Sequence, residues 1–297
     1  MLIALLVPLA LVAIVCMTVL LRAAFHARAV PRIEAVVLGA VVSFFDTLGI
    51  GSFAPTAAWF KFRKLVPDRL IPQTMLVGLT PPSILQGFIY LILLGVMVDA
   101  VLLVGCVLAC VVGGFVGVPL VVRARVWVVQ TVVAIGLLLA ATAYTLANLH
   151  LMPGGGTASS LPLSLTVVAI IASFVFGVLL NFGVGNYAPT LVLLSLMGMD
   201  PRLCFPIMAA SAGLMGGSAS VRHIQMGQMD LKIVLGITLG GFPAVLAAAF
   251  IVKEMPVDTL RWLVIVVVLY AAAVMARSAW LGRKGERVPL TPEAVSN

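Results

Sequence analysis

Apolar residues run along this chain in long blocks, and polar residues fall between them. A helix needs about 20 apolar residues to span the hydrocarbon core of a bilayer. Seven blocks read as such spans: 2–21, 70–98, 100–122, 126–147, 203–221, 233–252 and 260–276. Two further stretches, 33–64 and 162–199, are as apolar but are interrupted by glycine. The first block has no basic region ahead of it, and Arg22 follows it directly. It is longer than a signal-peptide core, so it reads as a retained first helix.

The two interrupted stretches are copies of one another. Gly49-Ile50-Gly51-Ser52-Phe53-Ala54-Pro55-Thr56 matches Gly183-Val184-Gly185-Asn186-Tyr187-Ala188-Pro189-Thr190 at a constant offset of 134. Five of those eight positions are identical, and the same offset carries Pro67 onto Pro201 and Pro72 onto Pro206. This predicts a duplicated unit: a leader helix with its loop (1–31), repeat 1 (32–147), a linker (148–161), repeat 2 (162–280) and a polar tail (281–297).

Charge decides whether the stretches cross or turn back. If both turn back and the N-terminus is extracytoplasmic, fifteen of the 18 Lys and Arg residues become cytoplasmic, leaving Arg202, Lys253 and Arg261 outside. If both cross, the split is nine to nine. Basic residues favour the cytoplasmic side, so the expectation is two re-entrant hairpins with a cytoplasmic C-terminus. Three full crossings separate them, which makes repeat 2 inverted relative to repeat 1. The predicted fold is therefore an all-α polytopic membrane protein. Each repeat is a re-entrant broken helix followed by three transmembrane helices.

Irregular backbone at membrane depth must be covered by protein or must line a cavity. Glycine permits the break, and Ser52 and Asn186 are residue types that cap helix N-termini. A half-helix starting there presents free N–H groups and the positive end of its dipole, which suits a small anion without any lysine or arginine. The expected substrate-binding residues are Gly49, Gly51, Ser52, Phe53 and Ala54, with Gly183, Gly185, Asn186, Tyr187 and Ala188. The plainer alternative is that these glycines only allow close helix packing. Asp46 precedes the first tip and is costly in a membrane. It would either couple transport to a cation or proton, or orient the Gly49–Gly51 loop; Leu180 is its repeat mate. Gln73, Thr80, Ser83, Gln86, Ser211 and Ser218 would line a path or bond between helices. Pro81-Pro82 and Gly216-Gly217 predict kinks. His223 reads as a loop residue, and the tryptophans as interfacial anchors.

Composition narrows the class. Of 297 residues 63% are hydrophobic and 9% charged, against roughly half and a quarter in soluble domains. That excludes a soluble enzyme, a nucleic-acid binder and a disulfide scaffold. The net charge of +8 is first a topology signal. Four cysteines in apolar runs read as buried thiols, and three histidines give no metal site. No cofactor is expected. The expected partners are the bilayer and a small anion, with homo-oligomers left open.

Through "FFDTLGIGSFAPT" and "NFGVGNYAPT" the chain resembles the sulfite exporter TauE/SafE family over roughly residues 32–280. Ser52 and Asn186 stand where many members carry a further glycine. The resemblance implies a permease of the bacterial inner membrane, mostly exporting sulfur-containing anions such as sulfite, sulfoacetate or related organosulfonates. An importer or a channel for a similar anion is the alternative.

Overall fold

The computed structural model describes residues 2–67, 70–121, 126–149, 156–180, 186–227 and 229–286. Among them there are eleven α-helices and one isolated β-bridge. In order they are α1 (Leu2–His26), α2 (Ile33–Thr47), α3 (Phe53–Arg63), α4 (Ile71–Leu93), α5 (Ala100–Val121), α6 (Val126–Asn148), α7 (Leu163–Leu180), α8 (Tyr187–Leu196), α9 (Phe205–Met226), α10 (Leu231–Glu254) and α11 (Val257–Glu286). Seven of them, α1, α4, α5, α7, α9, α10 and α11, are long and apolar enough to cross a membrane. The chain is a multi-pass, all-helical membrane protein. Helices suit it because lipid offers no partner for an unpaired backbone group.

Most elements run close to their expected limits. His223 is a correction: it lies in the last turn of α9, not in a loop. Both α4 and α9 continue through the residues expected to kink them. The two broken stretches are unequal. The 15 residues of α2 rise about 22 Å, and the 18 of α7 about 27 Å. The first limb is too short to cross a core of about 30 Å, whereas the second nearly matches it.

Packing follows the small residues. The parallel pair α2–α10 closes through Gly39 on the Ile237 carbonyl and Gly240 on the Val36 carbonyl, each without room for a Cβ. The pair α7–α5 repeats that crossing, with Gly177 on the Cys110 carbonyl and Gly113 on the Phe174 carbonyl. In both, the two glycines and the two carbonyls are set three residues apart along their helices. Helices pair this way in membranes because dispersion at close approach replaces the hydrophobic effect. At the centre α4 packs on α9, and α6 packs on α11. Leader helix α1 buries Leu5, Leu9, Cys16 and Leu20, and Leu9 and Val12 fill notches left by Gly87, Gly213 and Gly217. Its opposite face, Ile3, Val7, Leu11 and Ile14, is exposed and suits lipid.

The base of each broken stretch is closed on itself. At the first, Glu34 at the start of α2 accepts from Arg63 Nε at 2.8 Å and from Trp59 Nε1 at 3.2 Å, both near the end of α3. At the second, Ala158 before α7 bridges to the residues after α8, through Ala158 N–H to Gly198 O at 3.2 Å and Asp200 N–H to Ala158 O at 3.0 Å.

Within α4, Pro82 has no N–H to give the Gly78 carbonyl, four residues back. The Thr238 hydroxyl from α10 donates to that carbonyl instead, at 3.0 Å in a buried position. This bond supplies the donor that Pro82 withholds where α4 runs through Pro81-Pro82. Ser220 of α9 donates to the Thr80 hydroxyl at 2.9 Å, tying the central pair together beside it.

Candidate functional site

At the first tip, Gly49 N–H bonds to the Asp46 carbonyl at 2.8 Å and Ile50 N–H to the Phe45 carbonyl at 3.0 Å. These two bonds form a Schellman motif, whose C′ residue adopts the left-handed conformation. Gly49 has φ +93°, and Gly51, two residues on, has φ +88°. Both positions favour glycine for backbone reasons alone. Gly49 also lies against the Leu191 side chain of α8 and the Phe205 ring of α9, so the first tip touches the second broken stretch and the helix after it.

Neither Ser52 nor Asn186 caps its helix as expected. Both have helical φ/ψ, and neither side chain bonds the first turn. An N-cap side chain reaches the N2 or N3 amide from extended backbone, which neither adopts. Ser52 instead lies beside the Asp46 carboxyl, on which its hydroxyl and backbone N–H both act. Asn186 Nδ2 donates to the Met208 carbonyl of α9 at 3.4 Å. The helix starts are alike in other respects. Thr56 N–H bonds to Ser52 O at 3.2 Å, and Thr190 N–H to Asn186 O at 3.1 Å. At the far ends, Leu65 N–H bonds to Phe60 O and Met199 N–H to Leu194 O, both at 3.1 Å, around left-handed Lys64 and Gly198. Every one of these pairs keeps the offset of 134.

The two stretches meet in a buried polar cluster. The Tyr187 hydroxyl, from the first residue of α8, donates to Gln86 Oε1 on α4 at 3.2 Å. The Tyr90 hydroxyl, one turn further along α4, donates to the Thr47 carbonyl at the end of α2 at 2.8 Å. Asp46 is close enough for its charge to act on both phenols. All five residues, with Ser52, are buried. Around them close Leu48, Leu191 and Phe205, the last tilted against Tyr90 with centroids 5.1 Å apart.

The other expected residues are distributed differently. Phe53 is half exposed, and Ala54 and Ala188 lie in the first turns of α3 and α8. Gly183 and Gly185 lie outside the described residues. Of the residues expected along a path, Gln86 alone joins the cluster. Ser83 and Ser211 return their hydroxyls to the carbonyls of Leu79 and Ile207, four residues back. Ser218 does the same toward Leu214 and Met215 at an exposed position. Thr80 belongs to the α4–α9 contact, and Gln73 Oε1 is buried without a protein partner.

Sequence reasoning missed Tyr90 and Thr47. A tyrosine in an apolar membrane helix was the available signal, since a buried phenol needs a hydrogen-bond partner. Among the described residues no group of three His, Cys, Asp or Glu could hold a metal ion. All four cysteines are buried and unpaired.

No curated protein and no solved structure matches the chain. Its C-terminal part, residues 165–296, which takes in the second glycine stretch and the helices after it, matches the model of the family described as Sulfite exporter TauE/SafE.

Proposed function

We propose that the protein is a secondary carrier for a small sulfur-containing oxyanion, sulfite or an organosulfonate such as sulfoacetate, in the bacterial inner membrane. The anion is held where the two broken stretches meet. The observation that carries this reading is the Tyr187–Gln86 bond beside Asp46 and Tyr90. Through it the entry to α8 joins the tip of α2–α3 in one buried polar cluster. The start of α3 adds N–H groups ahead of the first intrahelical bond and the positive end of a helix dipole. Such a terminus accepts an oxyanion without a basic side chain. The match of residues 165–296 to the sulfite exporter family supplies the chemical class.

In this reading the two halves are inverted repeats, as in other carriers with broken helices at midplane. Three features support it. The bases of both stretches close on themselves. The offset of 134 holds for backbone bonds as well as for residue types. The first limb of each stretch packs on a helix of the other half, α2 on α10 and α7 on α5, through the same reciprocal glycine crossing. The N-terminus is extracytoplasmic and the C-terminus cytoplasmic. Export follows from the interior-negative potential, which drives an anion outward by about 2.3 kcal/mol per charge per 100 mV.

The test is uptake of radiolabelled sulfite into inside-out vesicles, comparing the wild type with Gly51→Leu and Gly185→Leu. Saturable uptake by the wild type, lost in both variants, is expected. Uptake no greater than that of empty vesicles, for sulfite and for sulfoacetate alike, overturns the reading.

A further inference from the structure

The start of α3, expected to receive a substrate anion, already holds one of the protein's own. The Ser52 hydroxyl and Ser52 N–H both act on the Asp46 carboxyl, so it stands beside the donors a substrate oxygen would use. Asp46 is 8% exposed. From the elements packed around it, the groups that face it are Ser52 at the entry to α3, Tyr90 of α4 and Tyr187 of α8. No lysine, arginine or histidine among the described residues acts on it. A charged carboxylate without a basic partner is costly to bury, and protonation is the usual relief.

A second observation points to an absent ligand. Gln86 is fully buried, and its Oε1 is taken by the Tyr187 hydroxyl, yet its Nε2 has no protein partner. With Oε1 turned to Tyr187, the amide nitrogen is the end without a partner. Two N–H groups are thus left in a membrane interior, where a missing bond costs most. They lie in the cluster that contains Asp46 and want an acceptor oxygen.

We propose that the Asp46 carboxylate and the substrate oxyanion are alternative occupants of one site. The anion binds at Ser52 and the Gln86 amide only after Asp46 has taken up a proton. This deepens the carrier reading and rests on it. In the empty carrier the ionised Asp46 stands in for substrate at the start of α3. In the loaded carrier Asp46 is neutral and the anion takes the charge. One proton and one dianion such as sulfoacetate then travel together with one net negative charge, on which the interior-negative potential still acts. The second repeat has no such group, since Leu180 occupies the position equivalent to Asp46. Coupling therefore resides in the first half, although the site is shared by both.

The experiment is calorimetric binding of sulfoacetate to the full-length protein in nanodiscs from pH 5.5 to 8.5, in buffers of different ionisation enthalpy. Sulfoacetate is fully ionised across this range, and the phenols keep their protons. Wild type is expected to lose affinity by about tenfold per pH unit at the alkaline end and to take up one proton per anion. Asp46→Asn is expected to bind with neither effect. Gln86→Glu, which turns the donor into an acceptor at constant size, is expected to lose at least about tenfold.

A flat wild-type profile, or an Asp46→Asn profile with the wild-type slope, overturns the proposal and leaves the carrier reading standing. Unchanged affinity in Gln86→Glu does the same. Should Asp46→Asn fail to fold, judged by gel filtration, the wild-type slope and proton count decide alone. A wild type that binds neither sulfoacetate nor sulfite removes the carrier reading and this proposal with it.

Discussion

Thr238→Val tests the energetic logic of the central helices. The replacement keeps the side-chain shape and removes one hydroxyl. In the native protein that hydroxyl donates at 3.0 Å to the Gly78 carbonyl, which Pro82 cannot serve. Side-chain hydrogen bonds between membrane helices average only about 0.6 kcal/mol, because each group usually has another partner. Here the helix offers none. Removing the donor leaves a buried carbonyl orphaned, at a cost of about 1–3 kcal/mol. In a Pro82→Ala background the new N–H at position 82 reaches Gly78 within the helix, and the loss from Thr238→Val should fall below about 1 kcal/mol. The expected coupling in a double-mutant cycle is therefore about 1–2 kcal/mol, within the range for groups that share a partner. Reversible unfolding in mixed micelles, for the wild type, both single variants and the double variant, measures it. Equal losses from Thr238→Val in the two backgrounds would refute the reasoning.

Other outcomes follow from the same contacts. Gly240→Ala drives a Cβ into the Val36 carbonyl, and since backbone cannot swing aside, it should cost about 1–3 kcal/mol or more in the same assay. Gly136→Ala, with nothing within 4 Å, should cost nothing measurable. Gly51→Ala has no clash to meet but a φ of +88° to satisfy, so it should lose about 1–2 kcal/mol through strain alone. Tyr90→Phe leaves the Thr47 carbonyl without its 2.8 Å donor and should cost about 1–3 kcal/mol. Glu34→Gln breaks a surface pair and should cost no more than about 1 kcal/mol, with the difference from wild type shrinking as salt is added.

The helices were legible because membrane spans announce themselves by length and apolarity, although α7, part of an interrupted stretch, proves long enough to cross. At the first tip the glycines were legible because a tight backbone turn demands them, and Gly49 and Gly51 both have positive φ. The tip chemistry was harder to read. Ser52 and Asn186 have the composition of N-caps, but composition does not reveal φ/ψ, and Asp46 offers Ser52 a better partner than its own helix does. Thr80, Ser83 and Ser211 looked like path residues because a hydroxyl in an apolar helix is conspicuous. Each can satisfy itself on a carbonyl or hydroxyl nearby, so polarity alone could not separate them from Gln86. Tyr90 and Thr47 come together only through the fold, from helices 43 residues apart in sequence.

The central claim is that an oxyanion binds where the two broken stretches meet. Selenite, a heavier analogue of sulfite, can be located by its anomalous scattering in crystals of the full-length protein grown at mildly acid pH. The account predicts a single internal peak about 4 Å from Gln86 Nε2, one Se–O bond beyond hydrogen-bond range, beside Ser52 and Tyr187. Peaks confined to helix ends at the protein surface, with none in this cluster, would contradict it.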